Sequence, residues 1–291
     1  MLSETLNGLT YGMIYSAVAL GLVLIYRSTR VVNFAQGGMA MFTTYLAVTV
    51  IDRGWNYWIA FAVALGSGLA LGAIVERLLV RRVESKNPLN AVIVTIGLLI
   101  LLESVAGMVW GGGTRAFPAH FSIVGVGIGR HALAISRFDF FVIGAVLLVM
   151  LALVVLFRAT SLGLRMRAAA FSPEVARLLG VRVGRMLTLG WALASLVGSL
   201  AGVLVAPKVF LSPNMMDEIL IFGFAAAVLG GLDSPVGALI GGLVLGLVTS
   251  YVGGWSVAGP SLEVLGALVV LVVVLMVRPQ GLFSGLGQRR V

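Results

Sequence analysis

The groups able to do chemistry in this chain are few, and their spacing excludes most of it. Eleven carboxylates and two histidines are present, with no cysteine, so neither a thiolate metal site nor a disulfide framework can form. His120 and His131 lie in one loop, and no HExxH or GxSxG sequence occurs; a hydrolytic or metal-dependent constellation has nothing to be built from. A phosphate-binding P-loop requires Lys followed by Ser or Thr after a Gly-rich turn. The two lysines are Lys86, before Asn87, and Lys208, before Val209. The chain is therefore expected to be no enzyme, with no ATP site, metal or cofactor of its own.

Two carboxylates stand out by their surroundings. Glu103 and Glu263 fall inside long apolar runs, where an ionised carboxylate costs roughly 2.5–3.5 kcal/mol unless it faces protein or water. Glu103 lies about two-thirds of the way along its run, whereas Glu263 is near an end. Each is a candidate for a transport path or a subunit interface, with structural pairing to an Arg or a helix terminus as the rival role.

The elements that must position these groups are set by hydropathy. Of the 291 residues 60% are hydrophobic and 11% charged, with a mean hydropathy of +1.09, far outside the range of a soluble domain. Backbone polar groups in lipid must be satisfied internally, which leaves helices or a closed barrel. The apolar runs have helical length and lack the alternation of barrel strands. The expected fold is an all-α polytopic membrane helix bundle of eight or nine transmembrane segments. Spans are placed at roughly 5–26, 32–51, 57–80, 88–110, 138–157, 187–206, 219–232, 236–253 and 261–277. The first has no basic n-region or cleavage pattern and reads as a retained span. Gly230 to Gly237, reading GGLDSPVG, interrupts the seventh and eighth runs, so one pair is broken or re-entrant. Asp233 and Ser234 are candidate caps for the helix that follows, with Pro235 at its first position.

Net charge is +9, and the basic residues sit in short connections, where they report orientation. One side receives Arg27, Arg30, Arg77, Arg81, Arg82, Lys86, Arg158, Arg165, Arg167, Arg177, Arg182, Arg185, Arg278, Arg289 and Arg290; the other receives Arg53, Arg115, Arg130, Arg137 and Lys208. The positive-inside rule puts the first group in the cytoplasm, the N-terminus outside and the C-terminus inside. The Gly-rich loop from Gly111 to Arg137 is then external, as a partner face or a solvated linker. Glycines recur at four-residue spacing, at Gly8/Gly12, Gly68/Gly72, Gly198/Gly202, Gly237/Gly241 and Gly242/Gly246, and bundle packing is their expected use. Asn33 and Gln36, in VVNFAQGG, open the second span, where capping and helix entry is the plain role.

The connection from Arg158 to Gly184 is the longest basic stretch. Ser172 is a candidate N-cap, Pro173 suits the first helical position and Glu174 the positive end of the helix dipole. Val175, Leu178 and Leu179 fall on one face, and Gly180 suits C′. Two turns are unstable alone, so this helix needs a surface: its own bundle, the lipid interface or a partner protein.

This segment resembles the cytoplasmic coupling loop of permeases in the branched-chain amino acid ATP-binding-cassette importer family, in which RA is followed by an acidic residue, Ala, Leu and Gly; here these are Arg167, Ala168, Glu174, Ala176, Leu179 and Gly180. GLTYGMIYSAVALGLVLIYRSTRVVNFAQG, the ER of Glu76 and Arg77, TIGLLILLES, AAVLGGLDSPVGALIGGLVLG and RPQGLF follow in the same order along the whole chain. The resemblance implies a single transmembrane permease domain over 1–291 with a coupling loop at 158–186. In it Arg165, Arg167, Ala168, Ser172, Pro173, Glu174, Ala176, Arg177, Leu179 and Gly180 would meet an ATPase. It further implies a bacterial-type inner-membrane location, two cytoplasmic ATPases carrying ATP and Mg, a second related permease as a heterodimeric partner, and an extracytoplasmic binding protein. No nucleic acid is implied.

Three departures from the family pattern bear on the path. Gln36 stands where NFAHG carries His, Phe222 where many relatives carry Lys, and Glu103 where many carry a neutral polar residue. Asn33, Gln36, Glu103 and Phe222 are thus the candidate path residues, and branched-chain amino acids the expected solute. The alternatives are another small polar solute, such as urea or an amide, and a self-sufficient secondary transporter or channel.

Overall fold

A computed structural model describes residues 1–83, 88–128, 131–254 and 262–283. Lys86, Arg130, Arg289 and Arg290 of the charge tally lie outside them, as does the His131 side chain. The helices are α1 (Leu2–Thr29), α2 (Gln36–Asp52), α3 (Tyr57–Val75), α4 (Arg81–Val83), α5 (Pro88–Trp110), α6 (Arg137–Ala159), α7 (Ser161–Phe171), α8 (Pro173–Leu178), α9 (Val183–Val209), α10 (Asp217–Gly230), α11 (Pro235–Gly253) and α12 (Glu263–Val277). A π-helical stretch, Glu76–Val80, joins α3 to α4 in one unbroken rod over Tyr57–Val83. Between α5 and α6 the Gly-rich loop forms an antiparallel hairpin, β1 (Gly125–Ile128) with β2 (His131–Ser136), in which Ile128 pairs with His131.

The all-helical reading therefore holds. Among the described residues, six helices are long and apolar enough to cross a membrane: α1, the 57–83 rod, α5, α6, α9 and α11. At 17, 14 and 15 residues, α2, α10 and α12 fall short of the roughly 20 residues that span hydrocarbon. The break near Gly230 is real. The Ser234 hydroxyl accepts from Gly237 N–H at 3.0 Å, with Pro235 at the first position, so Ser234 rather than Asp233 supplies the cap.

The chain divides into two compact units. In the first (Met1–Val23, Pro118–Val146, Glu218–Val291), α1 and α11 cross through opposed glycines. A Cβ on Gly12 would meet Leu243 Cα at 2.9 Å, and one on Gly8 would meet Leu247 Cα at 2.9 Å. Ser16 bridges the same crossing by donating to Gly12 O (2.6 Å) or Leu239 O (2.9 Å). The RPQGLF segment runs along the end of α10, where Leu282 N–H donates to Leu229 O (2.9 Å) and Phe283 N–H to Gly230 O (3.1 Å). It thereby satisfies carbonyls that a helix C-terminus leaves open.

In the second unit (Leu24–Phe117, Leu147–Asp217), α9 packs on both α2 and α3. Gly68 and Gly72 face Ser199, Ser195 and Ala192, while Gly198 and Gly202 face Gln36, Ala40 and Thr44. Small residues on both helices let the backbones approach and leave dispersion contacts to hold them, since lipid gives helices no hydrophobic reason to associate. Buried hydroxyls complete the contact, with Thr43 Oγ1 and Ser199 Oγ 2.9 Å apart. Phe210, at φ +63°, ends α9, and Leu211 and Arg115 then exchange two backbone hydrogen bonds of 2.8 Å.

Candidate coupling surface and buried polar sites

The whole 158–186 segment belongs to the second unit. Thr160 caps α7 by accepting from Gly163 N–H at 3.1 Å. One residue, Ser172, separates α7 from α8. The expected hydroxyl cap is absent: Ser172 sits at φ −145°, ψ 89° with no side-chain cap bond. Its backbone does both jobs, donating to Ala168 O (3.1 Å) to end α7 and accepting from Ala176 N–H (2.9 Å) to start α8. Pro173 fills the first position and Glu174 the first turn. Gly180, at φ +79°, reverses the chain, and Val181 N–H returns to Ala176 O at 2.9 Å; only a residue without Cβ adopts that φ at little cost.

What α8 buries is small. Ala176 meets Ala169 and Val183, with Ala168, Val181, Met186 and Leu187 around them. The apolar stripe points the other way. Phe171 is 94% exposed, Leu178 87%, Leu179 76% and Val175 52%. Around it Arg165, Arg167, Arg177, Arg182 and Arg185 are exposed, with Glu174 as the acidic exception. The protein's own bundle therefore leaves this stripe uncovered, on a segment held in place from behind by alanines. Sequence periodicity finds the stripe but does not tell which side of a two-turn helix packs.

Asn33 and Gln36 are brought together and fully buried. Asn33 Oδ1 accepts from Ala35 N–H at 3.0 Å, its Nδ2 donates to Gln36 Oε1 at 3.3 Å, and Gln36 Nε2 donates to Ala194 O at 2.8 Å. Asn33 closes a turn just ahead of α2, which begins at Gln36 instead of residue 32. Glu103 is half-buried in α5 and faces Asp217, a second carboxylate, rather than an arginine; Asn214 Nδ2 holds Asp217 at 3.1 Å. Phe222 belongs to the first unit, buried with its ring 4.9 Å from that of Tyr15. Glu263 stands in the first turn of α12 against Gly253.

Two buried carboxylates escape the sequence reading: Asp139, which accepts from Ser136 N–H at 2.7 Å, and Glu76. Glu76 is fully buried, and Arg81 grips its carboxylate with Nε–Oε1 at 2.9 Å and NH2–Oε2 at 2.7 Å. Arg81 also reaches Gly184 O (2.6 Å) and Thr188 Oγ1 (2.7 Å), and the Thr188 hydroxyl lies 2.7 Å from Glu76 Oε2. The signal was present as an acidic residue within the 57–80 run, masked by the arginines beside it.

Apolar helices with a broken α10/α11 pair, buried polar groups and an uncovered basic loop make up a polytopic membrane helix protein. The comparisons with known proteins agree. The family described as branched-chain amino acid transport system / permease component matches residues 4–277, and the chain belongs to it. The high-affinity branched-chain amino acid transport system permease protein LivH of Escherichia coli K12 is 29% identical over 97% of this chain and 95% of its own length. BraD of Pseudomonas aeruginosa, described in the same words, is 28% identical over 97% and 95%. The ribose import permease RbsC of Escherichia coli K12 is 27% identical over 94% and 85%. Among solved structures, PsaBC from Streptococcus pneumoniae in complex with Fab matches with a TM-score of 0.52 at 15% identity, covering 96% of this chain and 91% of that one, a likeness of fold.

Proposed function

We propose that this chain is a membrane-embedded permease subunit of an ATP-driven importer, carrying branched-chain or related amino acids across a bacterial inner membrane. The observation that carries the reading is the Phe171–Gly180 surface. Its apolar side chains are exposed while Ala176 is buried behind them, and arginines ring them, which suits a partner that offers an apolar groove rimmed with acidic residues. Two cytoplasmic ATPases that bind ATP and Mg are that partner. The distribution of Lys and Arg supports a cytoplasmic 158–186 loop and C-terminus with the N-terminus outside. A second related permease completes the path as a heterodimer, and an extracytoplasmic binding protein delivers the solute. The names of LivH and BraD support the amino acid assignment. Closure of the ATPases on ATP would push α8, and the bundle would alternate between outward-open and inward-open states.

The test is purification of the tagged full chain with the ATPases that accompany it, beside a Leu178→Asp, Leu179→Asp variant. Wild type retaining ATP-binding-cassette ATPases, with loss in the variant, supports the docking surface; equal retention rejects it.

A further inference from the structure

The Glu76, Arg81 and Thr188 network lies one residue beyond the coupling loop's packing core. Ala176 of α8 packs on Val183, and the next residue, Gly184, offers its carbonyl to Arg81 at 2.6 Å. Gly184 is part of the fit, because a Cβ there would meet Arg81 NH1 at 3.2 Å. From Arg81 the contact passes to Glu76 inside the 57–83 rod. Thr188, one turn further along α9, closes the triangle by bonding to both Arg81 and Glu76.

The backbone is irregular where the pair sits. In a regular α-helix residues five apart lie about 140° apart around the axis. In the π-stretch, Arg81 N–H bonds to Glu76 O, which brings positions 76 and 81 onto one side and lets the guanidinium take the carboxylate in a fork. Single π-turns are rare and concentrate at functional positions. Glu76 is fully buried while the Arg81 side chain stays 40% exposed, and apolar residues hold helices as well without the cost of desolvating a carboxylate.

We propose that Glu76, Arg81 and Thr188 are positioning residues for transport: a clamp that makes the start of α9 and the C-terminal end of the 57–83 rod move as one body when α8 is pushed. The clamp rests on the docking reading given above, which supplies the push. Bidentate and three-way bonding resists rotation as well as separation, and coupling between distant sites is carried by such contiguous rigid contacts.

The chain's lack of cysteine makes the test direct. Leu78 and Leu189, both exposed, are replaced by cysteine and spin-labelled in the full permease purified with its ATPases. The distance is then read without nucleotide and with ADP-vanadate trapped. The clamp predicts one distance in both states for the otherwise native chain. In Thr188→Val and Arg81→Gln the ATPases stay bound and the two states give different distances; Thr188→Ser, which keeps the hydroxyl, restores the single distance. A state-dependent distance in the native chain, or a constant one in both variants, overturns the clamp. The Leu178→Asp, Leu179→Asp variant separates the two readings. If it keeps its ATPases, the docking surface and the clamp's drive fall together; if it loses them while Thr188→Val keeps a constant distance, the clamp alone falls.

Discussion

The side-chain amide of Gln36 donates to the carbonyl of Ala194 at 2.8 Å, across 158 residues of sequence. That bond seats the first turn of α2 on the middle of α9, and it leaves Gln36 Oε1 facing the Asn33 amide.

Replacing Gln36 by Leu removes the oxygen acceptor of buried Asn33 Nδ2 and leaves it the weaker Met39 Sδ at 3.8 Å. An unsatisfied buried donor costs about 1–3 kcal/mol, so the purified protein is expected to unfold at lower temperature, as read by fluorescence-detected size exclusion after heating. An unchanged transition would mean that Asn33 finds another partner.

Two glycines on α3 give an internal comparison. Gly66 has open space around its Cβ position, while a Cβ on Gly72 would meet Ser195 Cβ at 2.7 Å and Ala192 Cα at 3.0 Å. Gly66→Ala is expected to raise stability by roughly 0.5–1 kcal/mol through helix propensity. Gly72→Ala is expected to lower it by about 1–3 kcal/mol through overpacking. Thermal melts of the two variants side by side check both signs.

Gly281 holds the RPQGLF strap against α10 with φ +84°, and a Cβ would fall 2.7 Å from Gly231 N and Val228 O. Gly281→Ala is strained by both φ and space, at a cost on the order of 1–3 kcal/mol. Faster proteolytic removal of a C-terminal tag is the expected result, with Gly254→Ala a poor control because Gly254 is itself crowded by Glu4; Gly66→Ala serves instead.

At the coupling surface, Glu174→Lys with Arg177→Glu reverses two exposed charges while leaving Ala176 on its buried site. The variant is expected in the membrane at normal abundance, with ATP hydrolysis no longer producing uptake. Transport of radiolabelled leucine beside ATP turnover measures the ratio, and unchanged uptake would remove these residues from docking.

Glu103 faces Asp217, whereas Glu263 sits at a helix start. Glu103→Gln is accordingly expected to alter transport rate or solute preference more than Glu263→Gln in the same flux assay. Equal and negligible effects would take Glu103 out of the path.

Hydropathy and local punctuation made the helical class legible in the sequence. Each signal acts within a few residues: apolar length marks α6 and α9, Ser234 with Pro235 starts α11, Pro173 and Gly180 bound α8. The glycine spacings likewise named the faces on which α3, α9, α1 and α11 approach. Tertiary structure decided what these local signals do not encode. Gln36 finds a carbonyl on α9, the strap at Gly281 reaches back to Val228, and a π-turn shifts the helical phase so that Arg81 meets Glu76 and Thr188, which lies 112 residues beyond Glu76. The same holds for α8, where Ala176 is buried and Leu178 and Leu179 are exposed. Periodicity defines two faces on a short helix, and only the shape of the neighbouring helices selects the one that packs.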